Sequence, residues 1–230
     1  DTKFCWDGVA ARAEWIALKQ ISLGKVTFTN SNNAAIVTEY DVDYLIPAEQ
    51  KIGVSVSYST GTGAKPLTVD IPKALKLGKK LYGATYKFLF MNVDTFEKFA
   101  SQEEVYKKCA SFVQNVVGSQ DAPDLATVNA YLAKKKELYR GLQIIVIDQD
   151  ITLELANGSR LTENPFEDDV MLFSESKVLG NTYWKKPIDA KAMPGSVAEK
   201  VMHGHTLVKK YSNESPVQEV TEGIANLFPA

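Results

Sequence analysis

The sequence predicts an α+β chain in which one domain is inserted into another, and three observations carry that prediction. Helical periodicity opens the chain, β-type alternation follows, helices and strands mix in the middle, and short β segments return at the end. A Gly/Thr-rich stretch, Thr60-Gly-Thr-Gly-Ala-Lys-Pro66, separates the first β-rich part from the mixed part. The most apolar run, Leu142-Gln-Ile-Ile-Val-Ile147, falls inside the mixed part and reads as a central strand.

The chain has 230 residues, 45% of them hydrophobic and 23% charged, enough for one large domain or two smaller ones. Lys and Arg total 26 against 28 Asp and Glu, a formal charge of -2 that exerts no pull on nucleic acid. Cys5 and Cys109 build no disulfide framework, which fits a reduced cytosolic compartment. No apolar run approaches the ~18 residues of a membrane span. The opening Asp1-Thr-Lys-Phe-Cys-Trp6 is neither a signal peptide nor a start Met, so the expectation is a processed or trimmed product.

Taken in order, residues 6–23 form the first helix, with Val9, Ala13, Ile16 and Leu23 on one face and Gly24 as its stop. Lys25-Val-Thr-Phe-Thr29 alternates as a strand, Asn30-Ser-Asn-Asn33 turns the chain, and 37–44 and 53–58 read as further strands. The second helix starts at Asp70 as N-cap, tolerates Pro72, buries Ile71, Ala74, Leu75, Gly78, Leu81 and Tyr82, and ends at Gly83. Residues 86–91 form a buried strand, and Asp94 opens a short helix bearing Phe96 and Phe99. Ser101-Gln-Glu-Glu104 has the spacing of a capping box, followed by a helix burying Val105, Cys109, Phe112 and Val116. Residues 123–138 form another helix, with Leu125, Val128 and Leu132 inward. Residues 151–155, Asn157-Gly158 and 170–173 read as strand, hairpin turn and strand. From Pro187 onward, 201–208 and 216–229 are short strands and extended chain.

Motifs that carry chemistry are few. His203-Gly-His205 on a strand puts two rings on one face, short of the three or four ligands of a metal site, and reads as a surface pair. Gly61-Thr-Gly-Ala-Lys65 lacks Walker spacing and meets Pro66, so a hinge is the better reading. Asp148, Asp150, Glu167, Asp168 and Asp169 lack calcium-loop spacing and read as an acidic, solvated surface. Ser174-Glu-Ser-Lys177 matches a nucleophile spacing without its companion motifs. Cys109 and the aromatics Phe88, Phe90, Phe96, Phe99 and Phe112 read as core. No catalytic, cofactor-binding or metal-ligating residue is assigned.

Three ordered segments carry a family resemblance. Arg12-Ala-Glu-Trp-Ile-Ala-Leu-Lys-Gln-Ile-Ser-Leu-Gly-Lys25 and Val42-Asp-Tyr44 look like a helix-to-strand segment and its following strand. Leu142 to Asp148, Asn164-Pro-Phe-Glu-Asp-Asp-Val-Met-Leu-Phe173 and Leu179-Gly180 follow as strand, loop, strand and Leu-Gly. Ser215-Pro-Val217 through Ile224-Ala-Asn-Leu-Phe-Pro229 closes the chain. Together they resemble the lambda-type major capsid proteins of tailed phages and prophages, which have the HK97-type fold. The resemblance implies a structural protein and not an enzyme. The first helix would be the spine helix of a discontinuous peripheral domain (1–65 and 187–230), with an inserted axial domain at 66–186. It implies self-assembly into hexamers and pentamers of an icosahedral virion capsid in the bacterial host cytoplasm. Scaffold, portal and decoration proteins would be partners, contact with packaged DNA would be non-specific, and no membrane or cofactor is involved. The family's N-terminal arm and extended loop precede the spine helix and are not in this sequence. The junction at 59–63 would allow tilts between capsomers. An encapsulin-type shell shares the fold; a small hydrolase or metal-dependent enzyme using Asp148, Asp150 and His203 or His205, and a plain binding module, are the alternatives of other classes.

Overall fold

The computed structural model describes residues 2–29, 40–59, 63–114, 122–155, 157–191, 198–214 and 217–229. The expected turn at 30–33, the first residues of the 37–44 strand, Thr60 to Thr62 of the junction, Val116, and the side chain of Phe112 lie outside the described residues.

Helix α1 (Thr2–Leu23) begins four residues earlier than the periodicity suggested. It ends where predicted: Gly24 takes the left-handed conformation (φ 72°) and donates its N–H to Gln20 O at 2.7 Å. Strand β1 (Lys25–Phe28) pairs antiparallel with β2 (Tyr40–Asp43). Trp15 and Ile16 of α1 pack on Val26 and Phe28 of β1, the start of one core. Burying side chains of this size is worth about 1.5–3 kcal/mol each.

The expected strand at 53–58 is irregular chain. Its groups bond to a side chain instead of a ladder: Ser55 N–H donates to Asp70 Oδ1 (2.9 Å) and Tyr58 OH to Asp70 Oδ2 (2.8 Å). Asp70 stands at the N-cap position of the second helix, as expected, but its side chain caps none of that helix's amides. A five-residue π-type turn, Pro66–Asp70, already winds the chain before α2 (Ile71–Tyr82), and Asp70 itself is helical. Ile71, Ala74, Leu75 and Gly78 of α2 are buried as predicted, but Leu81 and Tyr82 are exposed because the last turn runs past the core. Replacing Asp70 by alanine removes a carboxylate that holds two donors, at a cost of roughly 1.5–3 kcal/mol. The expected result is faster hydrogen exchange at Ser55 and earlier proteolysis within 51–59, with the exchange of β3 amides unchanged.

Strand β3 (Phe88–Asn92) leads into α3 (Val93–Ala100), α4 (Glu103–Gln114), α5 (Leu125–Lys134) and the single turn α6 (Lys136–Tyr139). Asn92, not Asp94, caps α3, its Oδ1 accepting Thr95 N–H at 2.8 Å. Strand β4 (Gln143–Ile147) returns parallel to β3, the helices forming the crossover. The hairpin β5 (Ile151–Glu154) and β6 (Arg160–Glu163) turns at Gly158 (φ 79°) as the sequence indicated, and β7 (Leu172–Ser174) pairs antiparallel with β3. The sheet order β4-β3-β7 makes β3 central, not β4. The larger core lies between this sheet and the helices and includes Leu67, Ile71, Leu75, Leu89, Met91, Phe99, Val105, Cys109, Leu132, Tyr139 and Ile144. The β5–β6 hairpin belongs to the other core: Ile151 and Leu153 pack with Trp15 and Ile16.

Strand β8 (Thr182–Lys185), which alternation did not reveal, is followed by β9 (Glu199–His203), β10 (Thr206–Glu214), β11 (Val217–Ile224) and β12 (Asn226–Pro229). The order β11-β10-β9 forms one antiparallel sheet, and β12 pairs with β8. Helix α1 lies across β10 and β11. At Gly223 a Cβ would meet Cys5 O of that helix at 2.7 Å.

Candidate functional site

The structure places the residues flagged for chemistry apart and gives most of them structural work. Strand β9 ends at His203, and Gly204 (φ 59°) and His205 turn away from it, so the two imidazoles share no strand face. His203 stacks on Trp6, with ring centroids 5.3 Å apart. Strand β4 ends at Ile147, leaving Asp148 and Asp150 on an exposed link to β5. The other three carboxylates bind three different groups. Glu167 Oε2 pairs with Lys19 Nζ at 2.9 Å, Asp168 accepts from Asn92, and Asp169 Oδ1 pairs with Lys98 Nζ at 2.9 Å. Their loop is a clasp on the β3–α3 junction: Asn92 Nδ2 also donates to Phe166 O (3.2 Å), and Asp169 N–H donates to Thr95 Oγ1 (2.9 Å). Among the described residues no group of three or more His, Cys, Asp or Glu could hold a metal ion.

Ser174 lies in β7, its hydroxyl donating to Ser176 O at 2.8 Å, while Lys177 sits over the Phe88 ring. Cys109 is fully buried, and burial pushes its thiol up to about 12, so at neutral pH it packs as a small apolar group. Gly63-Ala-Lys65 does precede a helical turn, yet that turn's free amides are occupied. Glu104 Oε2 accepts Leu67 N–H (2.9 Å) and Thr68 N–H (3.2 Å), so a carboxylate of the chain fills the place of an anion. The capping box at 101–104 does not form: Ser101 Oγ donates to Lys98 O, and Glu104 serves the distant turn.

Lys108 Nζ completes this network at 2.7 Å from Glu104 Oε1, and Thr68 Oγ1 donates to the same oxygen. Burial alone would raise the Glu104 carboxyl, but the bonds from Lys108 and Thr68 outweigh it and hold the group below its ordinary 4.5. A carboxyl depressed in the folded state contributes stability in full above the unfolded value, and that stability is lost as pH falls through the folded value. The melting temperature of the wild type is expected to fall more steeply than that of Glu104→Gln as pH drops below 4.5. Parallel curves would show that the network is not coupled to stability.

What remains available is surface. On the β8–β12 ribbon Tyr183 and Trp184 are 66% and 56% exposed, and they border a groove of about 720 Å³ that α1 lines with Val9, Arg12, Ala13 and Ile16. Strands β9 and β11 are the two edges of their sheet among the described residues. Val201 on β9 and Val217 on β11 are 65% and 90% exposed. Unpaired strand edges with exposed apolar and aromatic side chains are the kind of surface that pairs with another chain. The sequence reading placed the returning β segments only from Pro187 onward, so the aromatic ribbon strand β8 lay before them; Tyr183-Trp184 was its one available signal.

No protein-family model matches the chain, and no curated protein sequence matches it. Its fold does have a counterpart. Over 99% of its length the chain superposes on the crystal structure of a prophage protein from Escherichia coli CFT073 assigned as a capsid protein, with a TM-score of 0.56 and 14% identity. The chain spans 61% of that protein's length. A phage-related protein from Bordetella bronchiseptica RB50 superposes with a TM-score of 0.36 and 12% identity over 77% of this chain and 53% of that one, too low to bear on the fold. The chain is thus a mixed α+β protein similar in fold to that prophage protein.

Proposed function

We propose that the chain is a structural subunit of a phage or prophage capsid with the HK97-type arrangement. The observation that carries the reading is the fold likeness to a prophage protein assigned as a capsid protein, which extends over 99% of the chain. In this reading α1 is the spine helix and belongs with the C-terminal sheets and the β5–β6 hairpin in a peripheral domain. The inserted axial domain comprises α2 to β4 together with β7, so this reading takes the β5–β6 hairpin, which packs with α1, out of the expected 66–186. Copies of the chain form hexamers and pentamers, and closed symmetry multiplies contacts that are individually modest. The exposed β8–β12 ribbon and strands β9 and β11, the sheet's outer strands among the described residues, suit that repetition. Scaffold, portal and decoration proteins are the remaining partners, packaged DNA is touched without sequence preference, and assembly takes place in the host cytoplasm. Such a subunit works by packing and needs no catalytic group.

Negative-stain electron microscopy with light scattering, on the complete gene product expressed alone and with its genomic neighbours, tests this. Closed shells or capsomer rings are expected. A small monomer that persists under every co-expression overturns the reading.

A further inference from the structure

Helix α2 turns one face into the core and the other to solvent, and every charged residue on the outer face is lysine. Lys73, Lys76, Lys79 and Lys80 are exposed, and no acidic residue stands between Ile71 and Tyr82. Spacings of three and four put Lys73, Lys76 and Lys80 in one stripe about 10 Å long. Over 65–87 the chain carries six Lys against one Asp, and that one, Asp70, is buried and committed to Ser55 and Tyr58. The net charge of -2 thus conceals a local excess of cations. The turn α6, which packs against α2, adds the exposed Lys135 and Lys136, with Glu137 beside them.

The stripe has no internal purpose. Lys98, Lys107, Lys108, Lys209 and Lys210 each pair with a carboxylate, whereas none of the four α2 lysines does so among the described residues. Like charges at i,i+3 and i,i+4, as in Lys73–Lys76 and Lys76–Lys80, repel and weaken a helix. The helix dipole favours Lys79 and Lys80 in the last turn, but it opposes Lys73 in the first, where no acidic residue offsets it. The isolated chain bears a cost that an external anion would remove.

We propose that the exposed face of α2 binds the phosphate backbone of duplex DNA through Lys73, Lys76 and Lys80, without reading its sequence. Point charges on flexible stems suit phosphates and carry no base readout. About 10 Å of duplex holds roughly six phosphates, enough for one to each lysine. An acidic protein segment fits less well, because protein interfaces are depleted of lysine and anchored by aromatic residues, and the stripe holds none. The choice of DNA among polyphosphates rests on the capsid reading. Binding itself is read on the chain alone, so it can fail while shells form and hold where none form.

Fluorescence anisotropy of a labelled duplex of mixed sequence, titrated with the chain over a range of salt, tests this. Binding is expected to weaken with salt, each engaged lysine adding about 0.9 to the slope of log K against log salt. Combining Lys73→Gln, Lys76→Gln and Lys80→Gln should lower that slope by about 2–3 and the affinity at low salt roughly tenfold or more. This variant should melt no lower than wild type, since repulsion is relieved. Combining Lys3→Gln, Lys25→Gln and Lys185→Gln removes the same charge from α1, β1 and β8 and should bind as wild type. No binding at low salt, equal losses in the two triple variants, or polyglutamate bound as tightly as DNA overturns the proposal. Acetylation of the wild type decides without any variant. DNA should slow modification of Lys73, Lys76 and Lys80 relative to Lys25, and a uniform rate overturns the proposal.

Discussion

Replacing Asn129 by leucine is expected to unfold the protein at a distinctly lower temperature, because this one side chain completes the outer edge of β4. Along a parallel strand, alternate residues turn their N–H and C=O away from the neighbour. At Ile144 both outward groups meet Asn129: its Nδ2 donates to Ile144 O at 3.0 Å, and its Oδ1 accepts Ile144 N–H at 2.7 Å. The amide imitates the missing strand. Ile144 is 1% exposed, so removing the amide leaves two backbone groups without a partner where water has little access. Each stranded group costs roughly 1–3 kcal/mol. Each kcal/mol moves the midpoint by about 2–4 °C in a chain of this size. Asn129→Asp separates the two bonds. The carboxylate still accepts Ile144 N–H but sets its second oxygen against Ile144 O, so this change should be at least as costly despite its similar shape. A melting temperature within about 1–2 °C of wild type for both variants, measured by calorimetry, would mean that the edge is satisfied in another way.

The same residue shows what was legible in the sequence. Helices α2, α3 and α5 and strand β1 stand out because apolar spacing follows the local period, β3 and β4 stand out as short apolar runs, and Gly24, Gly83 and Gly158 punctuate them, whereas the strand expected at 201–208 is the end of β9, a turn at Gly204 and the start of β10. Where reading failed, a local signal was overruled by a partner far along the chain. Ser101 and Glu104 have capping-box spacing, yet Glu104 bonds to Leu67 and Thr68. Gly53 to Tyr58 alternates like a strand, yet Asp70 takes its donors. The apolar run at 142–147 suggested a central strand, but an edge strand is equally apolar when a helix covers it and an Asn closes its ladder. The sites follow the same rule. His203 and His205 are close in sequence and separated by a turn, whereas the bond from Tyr44 OH to Pro229 O joins residues that no local pattern connects. The mixed α+β fold, similar to that of the prophage protein, was legible only in the order of elements along the whole chain, because a fold is a property of the whole chain.

Gly223→Val is expected to lift the first turns of α1 from the sheet and to destabilise the protein by roughly 1–3 kcal/mol. A Cβ at this position would lie 2.7 Å from the backbone oxygen of Cys5 and 3.1 Å from Val9 Cγ2. Backbone cannot swing aside as a side chain can, so the helix or the strand must move as a unit. The strand is held by its ladder, Gly223 opposite Val208, which makes the helix the part that yields. Lifting it would break the contact of Cys5 Sγ with Thr221 O (3.5 Å) and separate Trp6 from His203. A red shift of Trp6 emission should therefore accompany the fall in melting temperature. Gly8→Ala is the matching control on the same helix. A Cβ there meets nothing within 4 Å, and alanine is favoured over glycine in a helix by about 0.5–1 kcal/mol, so this variant should be more stable than wild type. Opposite signs from two small-residue substitutions, one on the strand and one on the helix, would locate the constraint in the contact between α1 and β11, not in the propensity of either. Equal stability of wild type and Gly223→Val would instead mean that α1 is free to ride on the sheet, and its direction would then have to be fixed by Trp15, Lys19 and their partners at 163 and 167.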